Sequence, residues 1–102
     1  MQDKEQICFQ IISQAGIARS YFFESIQNMR ESQTQSAITA YDKGKSHYHE
    51  AHMAHRQLVQ QEAQGNKVWM SLLLSHAEDL LMSADIMSEL AKEFNILYEE
   101  IH

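Results

Sequence analysis

Proline is missing from this chain of 102 residues, cysteine occurs once, and glycine occurs three times, at Gly16, Gly44 and Gly65. With no proline to break them, and with a composition rich in Ala, Gln, Glu, Leu and Met, long helices are expected. The lone Cys8 excludes an internal disulfide, which fits a reducing cytosol. It stands among Ile7, Phe9 and Ile11, so it reads as a small core residue rather than a nucleophile. Basic residues are scarce: eight Lys and Arg against fourteen Asp and Glu give a formal charge of −6. That balance argues against a nucleic-acid partner, because binding phosphate takes clustered cations. It suits instead a partner with a basic docking face. No stretch approaches the roughly 20 apolar residues that a membrane-spanning helix needs. The start, MQDKEQICFQIISQ, has no basic region followed by a long apolar one, so no secretory leader is expected. The expectation is a soluble, cytoplasmic protein of one domain, residues 1–102, without repeats or low-complexity tracts.

What is present is helical periodicity. From about residue 3 to about 30, Cys8, Ile11, Ile12, Ala15, Ala18, Phe22, Ile26 and Met29 recur at steps of three and four. The polar stretch ESQTQ (31–35) supplies a turn, with Thr34 available as an N-cap. A second helix is expected from about 35 to 63, with Ala37, Tyr41, Gly44, Tyr48, Ala51, His55, Leu58 and Glu62 on one face. QGNK (64–67) follows, where Gly65 suits a left-handed C-cap. The third segment, 68 to about 101, is the most apolar. One stripe is Trp69, Leu73, His76, Leu80, Ala84, Met87, Ala91, Phe94, Tyr98 and Ile101; a second is Leu72, Ser75, Asp79, Met82 and Ile86. The fold class expected is all-α, an up-down-up antiparallel three-helix bundle whose helices span roughly 40–50 Å. A helix apolar on two sides is buried on two sides. The second stripe therefore asks for a partner beyond the bundle, and closed self-association supplies one.

The stretch LLLSHAEDLLM (72–82) sets His76, Glu78 and Asp79 inside an otherwise apolar run, where an unpaired polar group is costly. His76 and Asp79 lie three apart and so are neighbours on a helix, while Glu78 points elsewhere, towards solvent. The residues leave two readings open. One is a buried histidine hydrogen-bonded to an aspartate as a structural pair. The other is a nucleophilic imidazole, a nitrogen base near neutral pH that takes a group covalently and hands it on.

LLLSHAEDLLMSA (72–84) resembles the signature of the lactose/cellobiose-type enzyme IIA of the bacterial sugar phosphotransferase system, a leucine-rich run leading into His-Ala-(Gln or Glu)-Asp-His-Leu-Met. AGIARSYFFESIQ (15–27), EAHMAHRQLVQQEAQGNK (50–67) and LAKEFNILYEEI (90–101) are similar to other stretches of that family, so nearly the whole chain is covered. The resemblance implies a three-helix bundle assembled as a homotrimer. It also implies that His76 takes a phosphoryl group from the histidine phosphocarrier protein HPr. The group would pass to a cysteine of enzyme IIB, which phosphorylates sugar entering through the membrane enzyme IIC. Asp79, matching the family's acidic position, would bind a divalent cation such as Mg2+ at the threefold axis with its symmetry mates. Two departures stand out: Leu80 occupies the place of the family's second histidine, and His55-Arg56 stand where Gln-Thr is usual. Arg56 offers a fork of donors to a phosphate, or is simply solvated. The rival reading is a regulatory or structural helical-trimer module in which His76 and Asp79 only secure assembly.

HYHEAHMAH (47–55) places His47, His49, His52 and His55 in one turn-rich register. Imidazoles three apart drift around a helix and converge poorly beyond two ligands, so a solvated face is expected rather than a metal site. His52 alone matches the family's Ala-His. Met70, Met82 and Met87 are expected as packing residues.

Overall fold

The structure, a computed structural model, describes residues 3–102; Met1 and Gln2 of the expected domain lie outside the described residues. The chain forms α1 (Lys4–Arg30), α2 (Thr34–Ala63) and α3 (Leu72–Ile101), with no strand among the described residues. The three rods lie side by side in a body 52 Å long and about 20 Å across, its principal extents being 52 × 21 × 18 Å. Hence the all-α, up-down-up arrangement expected from periodicity is the one observed.

Local signals set the helix ends. Asp3 begins α1 with a capping box: its carboxylate accepts from Gln6 N–H, and the Gln6 side chain accepts from Asp3 N–H. α1 and α2 end alike. Gln33 N–H reaches Asn28 O at 2.8 Å and Ser32 N–H reaches Met29 O at 3.0 Å; Asn66 and Gly65 repeat the pattern onto Gln61 and Glu62. Both ends need a left-handed residue, Ser32 (φ 63°) and Gly65 (φ 89°), and only the glycine adopts it freely. Thr34 is not the cap of α2; Gln33 holds that position without a side-chain hydrogen bond. α3 begins at Leu72 rather than 68, because Ser71 caps it by accepting from Leu74 N–H at 3.1 Å. Val68–Met70 form an irregular approach, tied down where Lys4 Nζ donates to Trp69 O at 2.6 Å.

The core is lined by small residues. Ala15, Ala18, Ala51, Ala54, Ala77, Ala84 and Ala91 are buried, so the backbones approach closely, and Ile7, Ile11, Phe22, Leu58, Leu74 and Leu81 fill the gaps. α1 packs against both other helices, while α2 and α3 touch one another least. Cys8 is fully buried, as expected, and burial pushes its thiol above the usual range. Phe22 lies in a notch made by Gly44 of α2: a Cβ built on Gly44 would stand 2.6 Å from the Phe22 ring. Ser25, also buried, donates to Ala37 O at 2.7 Å and accepts from Asn95 Nδ2 at 2.8 Å, linking all three helices at one end.

One expectation is corrected. The line that α3 turns into the core is Leu74, Ala77, Leu81, Ala84, Ser88 and Ala91. The stripe through His76 and Leu80 lies on the edge of that face, since His76, Trp69, Phe94 and Ile101 are exposed and Leu73, Leu80, Met87 and Tyr98 half-buried. The physical reason is close packing: α1 meets α3 along its alanines, and bulkier residues fall to either side.

Gly44→Ala tests the notch. Helix propensity alone favours alanine by about 1 kcal/mol, but overpacking a rigid buried ring costs about 1–3 kcal/mol. Urea denaturation should therefore show a net loss of stability; a gain would mean that Phe22 moves aside freely.

Candidate functional site

The face of α3 opposite its core line is uncovered. Leu72 is 92% exposed, Met82 65%, Ile86 57% and Leu97 50%, and Leu90 is exposed as well. Spaced by ten, four, four and seven residues, they fall within about 80° of one another around the helix at about 100° per residue, and so form one seam along the rod. Asp79 lies on this seam. An apolar strip of this length on a small protein marks an interaction surface. Met70 and Met82, expected as packing residues, are exposed within the single chain.

His76 stands at the edge of the seam, in the second turn of α3, and is exposed. No hydrogen bond joins it to Asp79 or to any other described residue, and neither side chain is buried. The buried structural pair is therefore not what a single chain contains. The His76 side chain is open to solvent. Its neighbour Leu80 is half-buried and offers hydrocarbon only. A surface cleft of about 590 Å3 lies elsewhere, between α1 and α2 beside Tyr21, Asn28, Thr39 and Lys43.

Glu78 departs from expectation. Rather than standing free in solvent, it meets His55 Nε2 of α2 at 2.7 Å, a hydrogen-bond distance. Two residues from Glu78, His76 leaves the helix on roughly the opposite side, because each residue turns the helix by about 100°. The signal that would have found this pair is long-range: His55 and Glu78 belong to different helices.

The remaining imidazoles of the 47–55 stretch have separate surroundings. His47 Nδ1 lies 2.6 Å from Gln14 Oε1 and its ring stacks on Tyr21; His52 stacks on Tyr48; His49 is exposed. Among the described residues no three His, Cys, Asp or Glu side chains converge as metal ligands. Arg56 is exposed on α2.

Fold and site together describe a small helical domain that displays one unpaired imidazole beside an apolar seam. Comparison with known proteins gives that class its family. The family model described as PTS system, Lactose/Cellobiose specific IIA subunit, matches residues 6–99. The oligo-beta-mannoside-specific EIIA component of Bacillus subtilis (strain 168) is 40% identical over 95 residues, 93% of this chain and 86% of that one. The lichenan-specific phosphotransferase enzyme IIA component of the same organism is 36% identical over 100 residues, 98% and 91% of the two chains. A crystal structure of the PTS cellobiose-specific enzyme IIA from Bacillus anthracis superposes with a TM-score of 0.92 at 40% identity, covering 99% of this chain and 94% of that one. The chain belongs to the lactose/cellobiose-specific IIA family and is a phosphotransferase component of a sugar phosphotransferase system. No described helix is long and apolar enough to cross a membrane.

Proposed function

We propose that this chain is a phosphoryl carrier in which His76 receives a phosphoryl group from phosphorylated HPr and delivers it to a cysteine of enzyme IIB. The observation that supports this most is the exposed, unpartnered imidazole of His76 on a long, regular helix. In the first step a ring nitrogen of His76 attacks the phosphorus of phospho-HPr. The old N–P bond breaks as the new one forms; the His76 ring gives up its proton to solvent and the departing HPr ring takes one up, leaving a neutral imidazole. In the second, the IIB thiolate attacks the phosphorus on His76, an S–P bond forms as the N–P bond breaks, and His76 takes up a proton and leaves as neutral imidazole. With Leu80 beside it, His76 has no second imidazole of its own helix to share the work. The sugar is of the kind that the names of its relatives carry, oligo-beta-mannoside, N,N'-diacetylchitobiose and lactose among them, and its choice belongs to the membrane enzyme IIC, with which this chain associates only through IIB. The reaction takes place in the cytoplasm.

The same reading assigns the seam of α3 to self-association as a homotrimer. Leu72, Met82, Ile86, Leu90 and Leu97 would line the axis, and Asp79 would meet its two symmetry mates there. Three carboxylates brought together repel, and a hard divalent cation such as Mg2+ with oxygen ligands relieves that repulsion. The residues fit such an ion: Asp79 is exposed on the seam and no cation of its own chain pairs with it among the described residues. A single chain gathers no three ligands, so the site needs all three copies. When bound, the cation neutralises charge at the axis; the transfer at His76 is carried by the imidazole.

Two experiments test these assignments. Incubation with labelled phosphoenolpyruvate, enzyme I and HPr should label the wild-type chain and leave His76→Ala unlabelled. Label that survives the substitution would reject His76, and no label on either would favour a purely structural trimer module. Replacing Asp79 by Leu should abolish bound Mg2+, measured by elemental analysis of the purified assembly. It should leave its thermal stability equal or higher, since apolar packing commonly matches or exceeds a buried charge cluster. Full metal occupancy in that variant would contradict an axial site.

A further inference from the structure

We propose that His55 is a positioning residue for His76, acting through Glu78; this rests on the reading of His76 as the phosphoryl acceptor. The starting point is the weakest seam of the bundle. α2 and α3 touch least. Between them His55 Nε2 meets Glu78 Oε2 at 2.7 Å, a polar rung across the seam. Farther along the same seam, burial first and then the Asp85 carboxylate raise the Tyr48 phenol above its ordinary range.

The His55 rung lies where α3 most needs support. The helix starts only at Leu72, after an irregular stretch in which Trp69 and Met70 are exposed. Its first turns are secured by the Ser71 cap, by Leu74 and Ala77 against the core, and on the α2 side by Glu78. His76 and Glu78 leave the helix in nearly opposite directions, about 200° apart. A bond holding Glu78 to α2 therefore acts as a stay across the helix axis. It opposes the rotation and fraying that would swing the imidazole out of line with an incoming phosphorus.

The pair does not read as a ligand site. The cleft it shares with Leu58, Val59, Val68 and Met70 is small, about 70 Å3. Nor does it read as a large source of global stability, since the two side chains are 22% and 39% exposed and such pairs contribute little. What is left is local geometry, and reaction rates are sensitive to that: a displacement of about 1 Å can cost up to about a hundredfold.

The test uses the full chain as wild type, His55→Leu and His55→Gln, at a temperature where circular dichroism shows all three folded. Leucine removes the donor to Glu78, and glutamine keeps one. Phosphoryl transfer from phosphorylated HPr should fall about tenfold in kcat for His55→Leu, with KM for phospho-HPr unchanged, and return to within about twofold for His55→Gln. A purely structural role would lower the melting temperature and leave the rate per folded molecule alone. A leucine variant as fast as wild type, or a glutamine variant as slow as leucine, would overturn the proposal. Should the wild type accept no phosphoryl group, the His76 reading itself fails, and hydrogen exchange judges the stay separately. Amides of residues 72–78 should exchange faster in His55→Leu, and unchanged exchange would overturn it.

Discussion

Everything in this bundle depends on how closely α1 can approach its neighbours. Phe22 enters α2 where Gly44 has no side chain, and alanines line the remaining contacts. Burying one phenylalanine contributes about 1.5–3 kcal/mol, and the notch sets the register in which the other residues meet. Because α1 occupies the centre, α3 is covered along one line only. Its alanines face α1, and the opposite side is left to solvent.

That geometry turns a packing constraint into a functional surface. A helix used by the core on one side has a second side to offer, and here it holds a strip of Leu, Met and Ile interrupted by Asp79. An apolar strip asks to be covered, and a carboxylate on it asks for charge compensation once it is. His76, at the margin, is close to the seam without being part of it. A histidine on the core line would be sealed, and one at the centre of the seam would be lost to assembly. A marginal position is the one that the proposed role, meeting two different proteins in turn, requires.

Much of this was legible in the sequence. The three helices follow from periodicity, Gly65 marks the end of α2, and the faces of α1 and α2 were read nearly as they lie. The start of α3 was missed because Val68, Trp69 and Met70 look like the first turn of an apolar helix, while Ser71, a good N-cap, was passed over. The core line of α3 was misread for a deeper reason. Both of its sides are apolar, and hydrophobicity alone does not distinguish a side buried within the chain from one awaiting a partner. Residue size does: Ala77, Ala84, Ser88 and Ala91 mark the tight contact, and the large residues flank it. Glu78 was assigned to solvent because its partner lies on another helix, beyond any rule of local spacing. Gly44 reads in the sequence as one more position on the face of α2, whereas it is the socket for Phe22.

The central claim is that the uncovered side of α3 is the contact between copies of this chain, with His76 left reachable at its rim. Sedimentation equilibrium across a concentration series tests it most directly. The account predicts a single species of about three times the 11.8 kDa chain mass. A species that stays at the mass of one chain throughout, with the leucine and methionine strip open to water, would contradict it.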